Sequence, residues 1–231
     1  MIDFSKIKSK KEVGKCFDYA ILPKQTTEQT IRDCCKEAIK YNCKAFCFSS
    51  SYWTPIVAEE LKGTDILVGA AIGFPFGQQT SAVKAFETEE AVRMGATVLD
   101  NCMNVGALKD KRYDEVEEEI HQIHEACDGK ILKVIIETCL LTEEEKIKMC
   151  EIVTKAGAEF IKTSTGFSTA GATFEDVKLM HDYVGEGVKV KAAGGISSFD
   201  DAEKFMSLGA DRLGTSRLVK IMKNTDNGAG Y

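Results

Sequence analysis

The stretch EFIKTSTGF, residues 159–167, begins as a buried strand and stops behaving like one at its fourth residue. Phe160 and Ile161 suit a strand interior. Lys162 then takes a position where an apolar side chain is expected, and Thr163, Ser164, Thr165 and Gly166 follow at once. The same interruption recurs along the chain. Asp18 breaks CFDYAIL, Asp100 breaks ATVLDNCMN, and Lys191 follows Val190 in VKVKAAGG. One charged residue in an apolar strand can be half of a structural ion pair. Four, at or near the ends of four strands, point to chemistry gathered at one end of a parallel sheet.

Working outward, apolar runs fit strands at 15–22, 44–50, 65–73, 96–104, 130–138, 158–164, 187–195 and 211–216. Amphipathic stretches separate them. One starts at Thr27 as N-cap and runs to about Asn42; two others stop at Gly95 and Gly129. Thr142 with Glu145 has the spacing of a capping box, and Ser198 precedes two acidic residues suited to a helix N-terminus. Eight strands alternating with helices in 231 residues give an α/β chain with the number and size of a single-domain TIM (β/α)8 barrel. The alternative is a doubly wound open sheet, which the missing GxGxxG after the first strand makes less suited to dinucleotides. The barrel is expected over residues 1–222, with a short N-terminal extension, and a flexible tail over 223–231.

Composition narrows the partners. The formal net charge is −6, with charges interspersed and no basic block, which argues against nucleic acid. No apolar run approaches the roughly 18–20 residues of a membrane helix. The N-terminus lacks the apolar core of a secretory signal. Nine cysteines, an odd number without a CxxC pair, read as reduced thiols of a cytoplasmic protein. His121 and His124 stand one helical turn apart, but no third histidine is near in sequence, so no metal site is expected there.

Lys162 and Lys191 are 29 residues apart, about one βαβ unit, which puts them on neighbouring strands. Two ammonium groups brought together in a partly desolvated barrel mouth would each disfavour the charged form of the other. A free lysine is neutral only about once in 2,500 at pH 7, and lowering its pKa by about three units takes roughly 4 kcal/mol. A neutral lysine attacks carbonyls and forms a Schiff base, whose protonated form withdraws electrons from the neighbouring carbon. Asp100, with Lys191, can then move the proton. A phosphate clamp with Asp100 as counter-ion is the other reading of the pair. Phosphate has a second candidate site: Gly194 and Gly195 lead from the seventh strand into a helix, and Gly214, Thr215 and Ser216 follow the eighth, the usual place for a barrel phosphate site.

These segments resemble the deoxyribose-phosphate aldolases. EFIKTSTGFSTAGAT is similar to that family's Schiff-base segment, VKVKAAGGISSFDDA to the segment with its second lysine, and LDNCMNVGALK to its aspartate-bearing strand. IGFPFGQQTSAVKAFETEEAVRMGA and LKVIIETCLLTEEEK look like its other signature stretches, so the resemblance spans about residues 13–220. It implies Lys162 as the imine-forming nucleophile, Lys191 as its tuning and proton-transfer partner, and Asp100 as the relay. It implies Gly166, Gly194, Gly195, Thr215 and Ser216 around the phosphate, and Asp18 and Thr165 orienting substrate hydroxyls or the relay. The implied reaction is reversible cleavage of 2-deoxy-D-ribose 5-phosphate to D-glyceraldehyde 3-phosphate and acetaldehyde, in deoxyribonucleoside catabolism, without metal or organic cofactor. A homodimer or higher homo-oligomer is implied, and Tyr231, the last residue, is expected to enter the site as a proton relay.

The chain departs from the family pattern at Tyr19 and Ala20, where His-Thr is usual, and at Val98, Asn101, Cys102 and Arg217. These changes bear on efficiency and aldehyde preference. They motivate two further readings: an imine-forming aldolase for another phosphorylated aldehyde, and an impaired relative that binds sugar phosphate only.

Overall fold

The computed structural model describes residues 10–223, so Tyr231 and nearly all of the expected tail lie outside the described residues. Eight parallel strands close into a barrel in sequence order: β1 (Phe17–Ile21), β2 (Ala45–Phe48), β3 (Leu67–Ile72), β4 (Val98–Cys102), β5 (Ile131–Ile135), β6 (Phe160–Lys162), β7 (Lys189–Ala193) and β8 (Ala210–Thr215). Closure comes from β8 pairing back onto β1, Asp18 opposite Gly214 and Tyr19 opposite Thr215. The open-sheet alternative is thereby excluded.

Among the described residues ten helices accompany the strands: α1 (Lys10–Gly14), α2 (Glu28–Lys40), α3 (Thr54–Glu60), α4 (Ser81–Arg93), α5 (Val105–Lys109), α6 (Tyr113–Ala126), α7 (Glu143–Lys155), α8 (Phe174–Tyr183), α9 (Phe199–Ser207) and α10 (Arg217–Met222). Sequence reasoning anticipated α2, α4, α6, α7 and α9. Their caps are as read: Thr27 accepts from Thr30 N, Ser198 accepts from Asp201 N, and Thr142 and Glu145 form the reciprocal capping box. It missed α8, although Thr173 caps it and Glu175 and Asp176 occupy its first turn. No described helix is long and apolar enough to cross a membrane.

Period-2 alternation sorts each strand into two faces. On β1, Phe17 and Tyr19 face the helices while Asp18 and Ala20 face inward. The large apolar core lies between barrel and helices, where Phe46, Ile72, Leu99, Val134, Ile161 and Leu213 are buried; each such side chain contributes about 1.5–3 kcal/mol of burial. The barrel interior is different. Its apolar lining is small, built from Ala20, Ala45, Cys47 and Val98. Beside these and Phe160, five inward positions on neighbouring or facing strands carry charges: Asp18, Asp100, Lys133, Lys162 and Lys191, all at most 6% exposed. A barrel whose centre is ionic rather than packed with Val, Ile and Leu is where a site is to be sought.

Candidate active site

Register brings the charges together. Lys162 pairs with Lys191 across β6 and β7, Asp100 with Lys133 across β4 and β5. Asp100 Oδ2 accepts hydrogen bonds from Lys162 Nζ at 2.7 Å and from Lys191 Nζ at 2.9 Å. Asp18 Oδ2 meets Lys191 Nζ at 2.7 Å and accepts from Lys133 Nζ at 2.8 Å, and its Oδ1 accepts from Arg212 Nη1 at 3.3 Å. Lys133 Nζ also lies 3.3 Å from Asp100 Oδ1, within ion-pair range. Lys133 and Lys191 thus each contact both carboxylates, whereas among the described residues Lys162 has its ion pair with Asp100.

The expected direct apposition of two ammonium groups needs correction, because a shared carboxylate oxygen stands between them. Burial alone would push the Lys191 ammonium down, but Asp100 and Asp18 together outweigh it and hold the pKa well above the ordinary lysine value. Burial would likewise raise Asp100 and Asp18; the surrounding lysines overcome it and hold both carboxyls far below the usual carboxylate range. Lys191 is therefore a fixed cation, not a second neutral amine. Asp18, expected to orient substrate hydroxyls or the relay, is fully buried with its carboxylate on Lys191, Lys133 and Arg212, which puts it beside the relay lysine.

The cluster opens onto a narrow cleft of about 10 Å³, where Lys162, Lys191 and Asp100 meet Cys47, Phe48 and Phe74. Burial pushes the Cys47 thiol up to about 11. The Phe160 ring lies within 6 Å of Lys133 Nζ, Lys189 Nζ and the Arg212 guanidinium. Above the cleft, and sharing Ala20 and Leu22 with it, lies a wider cavity of about 620 Å³. Gly166, Phe167, Ser216 and Lys220 line it, which joins the loops after β6 and β8. That volume is in the range of small-molecule sites.

The other expected residues fall as follows. Gly194 and Gly195, with φ of 74° and 76°, make the turn between β7 and α9 that a side chain would strain. Thr215 lines neither cavity: its hydroxyl faces Ile196 O at 3.5 Å and accepts from Arg217 N at 3.0 Å, so it holds the turn instead of facing a ligand. Thr165 is buried and bonded to Glu137, on the far side of Phe167 from the wide cavity. Tyr19 faces away from the site, its hydroxyl donating to Glu37 at 2.9 Å, so the departure that reaches the cavity is Ala20. On α6, His121 lies 3.7 Å from Glu125 of the same helix and His124 lies 3.4 Å from Glu159, just before β6. Asn101 is fully buried with no hydrogen-bond partner for its amide among the described residues, and nothing in the structure explains it.

Sequence reasoning missed Lys133, Arg212, Glu137 and Lys220. The signal for the first two was present: Lys133 and Arg212 interrupt strands in the same way as Lys162 and Lys191, at inward positions opposite Asp100 and Lys191.

The profile of the DeoC/LacD family aldolases matches residues 13–215. The chain is 48% identical over 220 residues to deoxyribose-phosphate aldolase 1 of Mesoplasma florum, covering 95% of this chain and all of that one. It is 51% identical over 214 residues to the deoxyribose-phosphate aldolase of Streptococcus agalactiae, covering 93% and 95%. The tetrameric deoxyribose phosphate aldolase from Aeropyrum pernix superposes with a TM-score of 0.87 at 27% identity, covering 97% of this chain and 95% of that one.

Proposed function

The chain belongs to the DeoC/LacD family and is an aldolase, a carbon–carbon lyase, and on that premise we propose that it reversibly cleaves 2-deoxy-D-ribose 5-phosphate to acetaldehyde and D-glyceraldehyde 3-phosphate through a Schiff base on Lys162. The observation that carries the reading is the single Asp100 oxygen shared by two lysine amines at the foot of the cleft. Lys162 can turn to a carbonyl without stranding its partner, since Asp100 keeps Lys191 and Lys133 beside it.

In the forward direction, Lys162 Nζ adds to the aldehyde carbon of the open-chain sugar, and loss of water gives the protonated imine. The 3-hydroxyl gives up its proton, the C2–C3 bond breaks, and its electron pair moves into the imine to form an enamine. Glyceraldehyde 3-phosphate leaves. A proton returns to C2, and water hydrolyses the acetaldehyde imine and frees Lys162. Asp100 with Lys191 serves the proton transfers. Asp18 acts one step back, orienting Lys191. The imine supplies the electron sink that a metal would otherwise provide, so no cofactor is invoked.

The phosphate belongs in the wide cavity, with Gly166 and Ser216, the turn at Gly194 and Gly195, and Lys220 as the cation lining that cavity. A phosphate clamp made of Lys162 and Lys191 is less well supported: both amines already meet carboxylate oxygens, and the cleft beside them is too small for a phosphate group. The tetramer of the Aeropyrum relative supports a homo-oligomer, and the free, mostly buried cysteines fit a cytoplasmic role in deoxyribonucleoside breakdown.

Incubation of the purified protein with 2-deoxyribose 5-phosphate tests the reading. Acetaldehyde and glyceraldehyde 3-phosphate are expected in equal amounts, and none from Lys162→Met. Turnover of another phosphorylated aldehyde in preference, or tight binding of sugar phosphate without cleavage, would overturn it.

A further inference from the structure

Glu137 has no place in the chemistry above, yet its backbone and side chain are both unusual. It lies two residues beyond the end of β5, is 7% exposed, and adopts left-handed φ and ψ of 54° and 65°. The chain on either side is locked to the Lys162 segment: Ile136 N donates to Lys162 O at 3.0 Å, and Thr138 N donates to Thr163 O at 2.9 Å. A non-glycine residue held in this region between two pinned neighbours is strained, and such strain gathers at functional sites. Here it turns the carboxylate onto the loop after β6. Glu137 Oε1 accepts from Thr165 N at 3.2 Å, and Oε2 accepts from the Thr165 hydroxyl. That hydroxyl in turn accepts from Phe167 N at 3.0 Å, across Gly166.

The geometry points to Glu137 as a positioning residue that sets the hydrogen-bonding sense of Thr165 and the shape of the Gly166 turn, and so governs affinity for a hydroxylated, phosphorylated aldehyde. A threonine hydroxyl has one proton and two lone pairs. The proton is committed to Glu137 and one lone pair to Phe167 N. One lone pair remains, so the Thr165 hydroxyl is fixed as an acceptor and as the link that carries Glu137 to Phe167 N across Gly166. The same contacts place Gly166, which lines the wide cavity, between two residues whose amide groups Glu137 holds directly or through Thr165. Imine formation at Lys162 needs neither contact.

The inference rests on the reading under Proposed function, and two assays on the same samples separate the two. Exchange of acetaldehyde methyl protons with deuterated water needs only the imine and enamine. Cleavage of 2-deoxyribose 5-phosphate needs the acceptor half of the site as well. In Glu137→Gln, an isosteric change that cannot accept both bonds, kcat/KM for cleavage is expected to fall about 10- to 100-fold, chiefly through KM, while exchange falls at least fivefold less than cleavage. Glu137→Ala should fall at least as far. Equal losses in both assays, loss of the folded state in Glu137→Gln by circular dichroism, or a change in cleavage of less than twofold would each overturn the role. A wild-type protein that neither exchanges nor cleaves would instead overturn the parent reading.

Discussion

Lys191 meets two carboxylates where Lys162 meets one, so Lys162 has fewer ion pairs to give up on moving. Burial opposes the Lys191 charge, but Asp100 and Asp18 hold its pKa above the ordinary lysine value, so it remains a cation throughout the neutral range. It lies 1% exposed, bonded to the oxygen that also binds Lys162. Removing it should leave a folded protein, because the cluster holds four cationic side chains against two carboxylates and each carboxylate keeps another partner. Lys191→Met is expected to lower kcat for cleavage by about 10²- to 10⁴-fold, the size of a proton-transfer contribution, with little change in the melting temperature. Activity within fivefold of wild type would show that Asp100 suffices alone. At this scale Lys162, Lys191 and Asp100 were legible because a charge in an apolar strand is a local signal. Glu137 was not, since its importance comes from a backbone conformation and from a partner 28 residues away.

At the scale of elements, the β4 end that presents Asp100 is braced from behind by α4 and α6. Lys84 on α4 is fully buried; its Nζ donates to Cys102 O at 2.8 Å and to Glu119 Oε1 on α6 at 2.8 Å. Glu87, one turn along α4, accepts from Gly73 N at the end of β3. Burial raises the Glu119 pKa above the ordinary carboxylate value, with Lys84 working against the rise. A carboxyl raised in the folded state adds stability below its unfolded pKa, near 4.5, and loses that contribution as pH rises through the folded value. Without Lys84 the rise is larger. Lys84→Met should therefore cost about 3–5 kcal/mol at pH 7, where Glu119 would have to be buried as an unpaired charge, and clearly less near pH 4. Denaturant unfolding at the two pH values checks this, and an equal cost at both would contradict it. The pair was not visible in SAVKAFETEEAVRMGA, because a lysine on an amphipathic helix reads as a solvated face unless its partner on the next helix is known.

For the molecule as a whole, alternation of apolar runs with capped helices was enough to reach the barrel, and all eight strands fall within or beside their expected runs. Helices with weaker periodicity or shorter length, α3, α5 and α8, escaped notice. What alternation alone could not give was the shear that decides which inward residues meet. That is why two facing lysines were expected where a lysine–aspartate–lysine bridge stands, and why the Thr215 hydroxyl, expected around a phosphate, is found on Ile196 O and Arg217 N. The cleft meets the ionic centre at Lys162, Lys191 and Asp100 and shares Ala20 and Leu22 with the wide cavity, and the account stands on the Lys162 amine being the nucleophile. The most direct measurement is borohydride reduction in the presence of acetaldehyde, followed by peptide mass mapping of the whole chain. The account predicts one ethyl adduct, on Lys162, absent without acetaldehyde. An adduct on Lys191 or Lys133 instead, or no adduct in a protein that still cleaves the sugar phosphate, would contradict it.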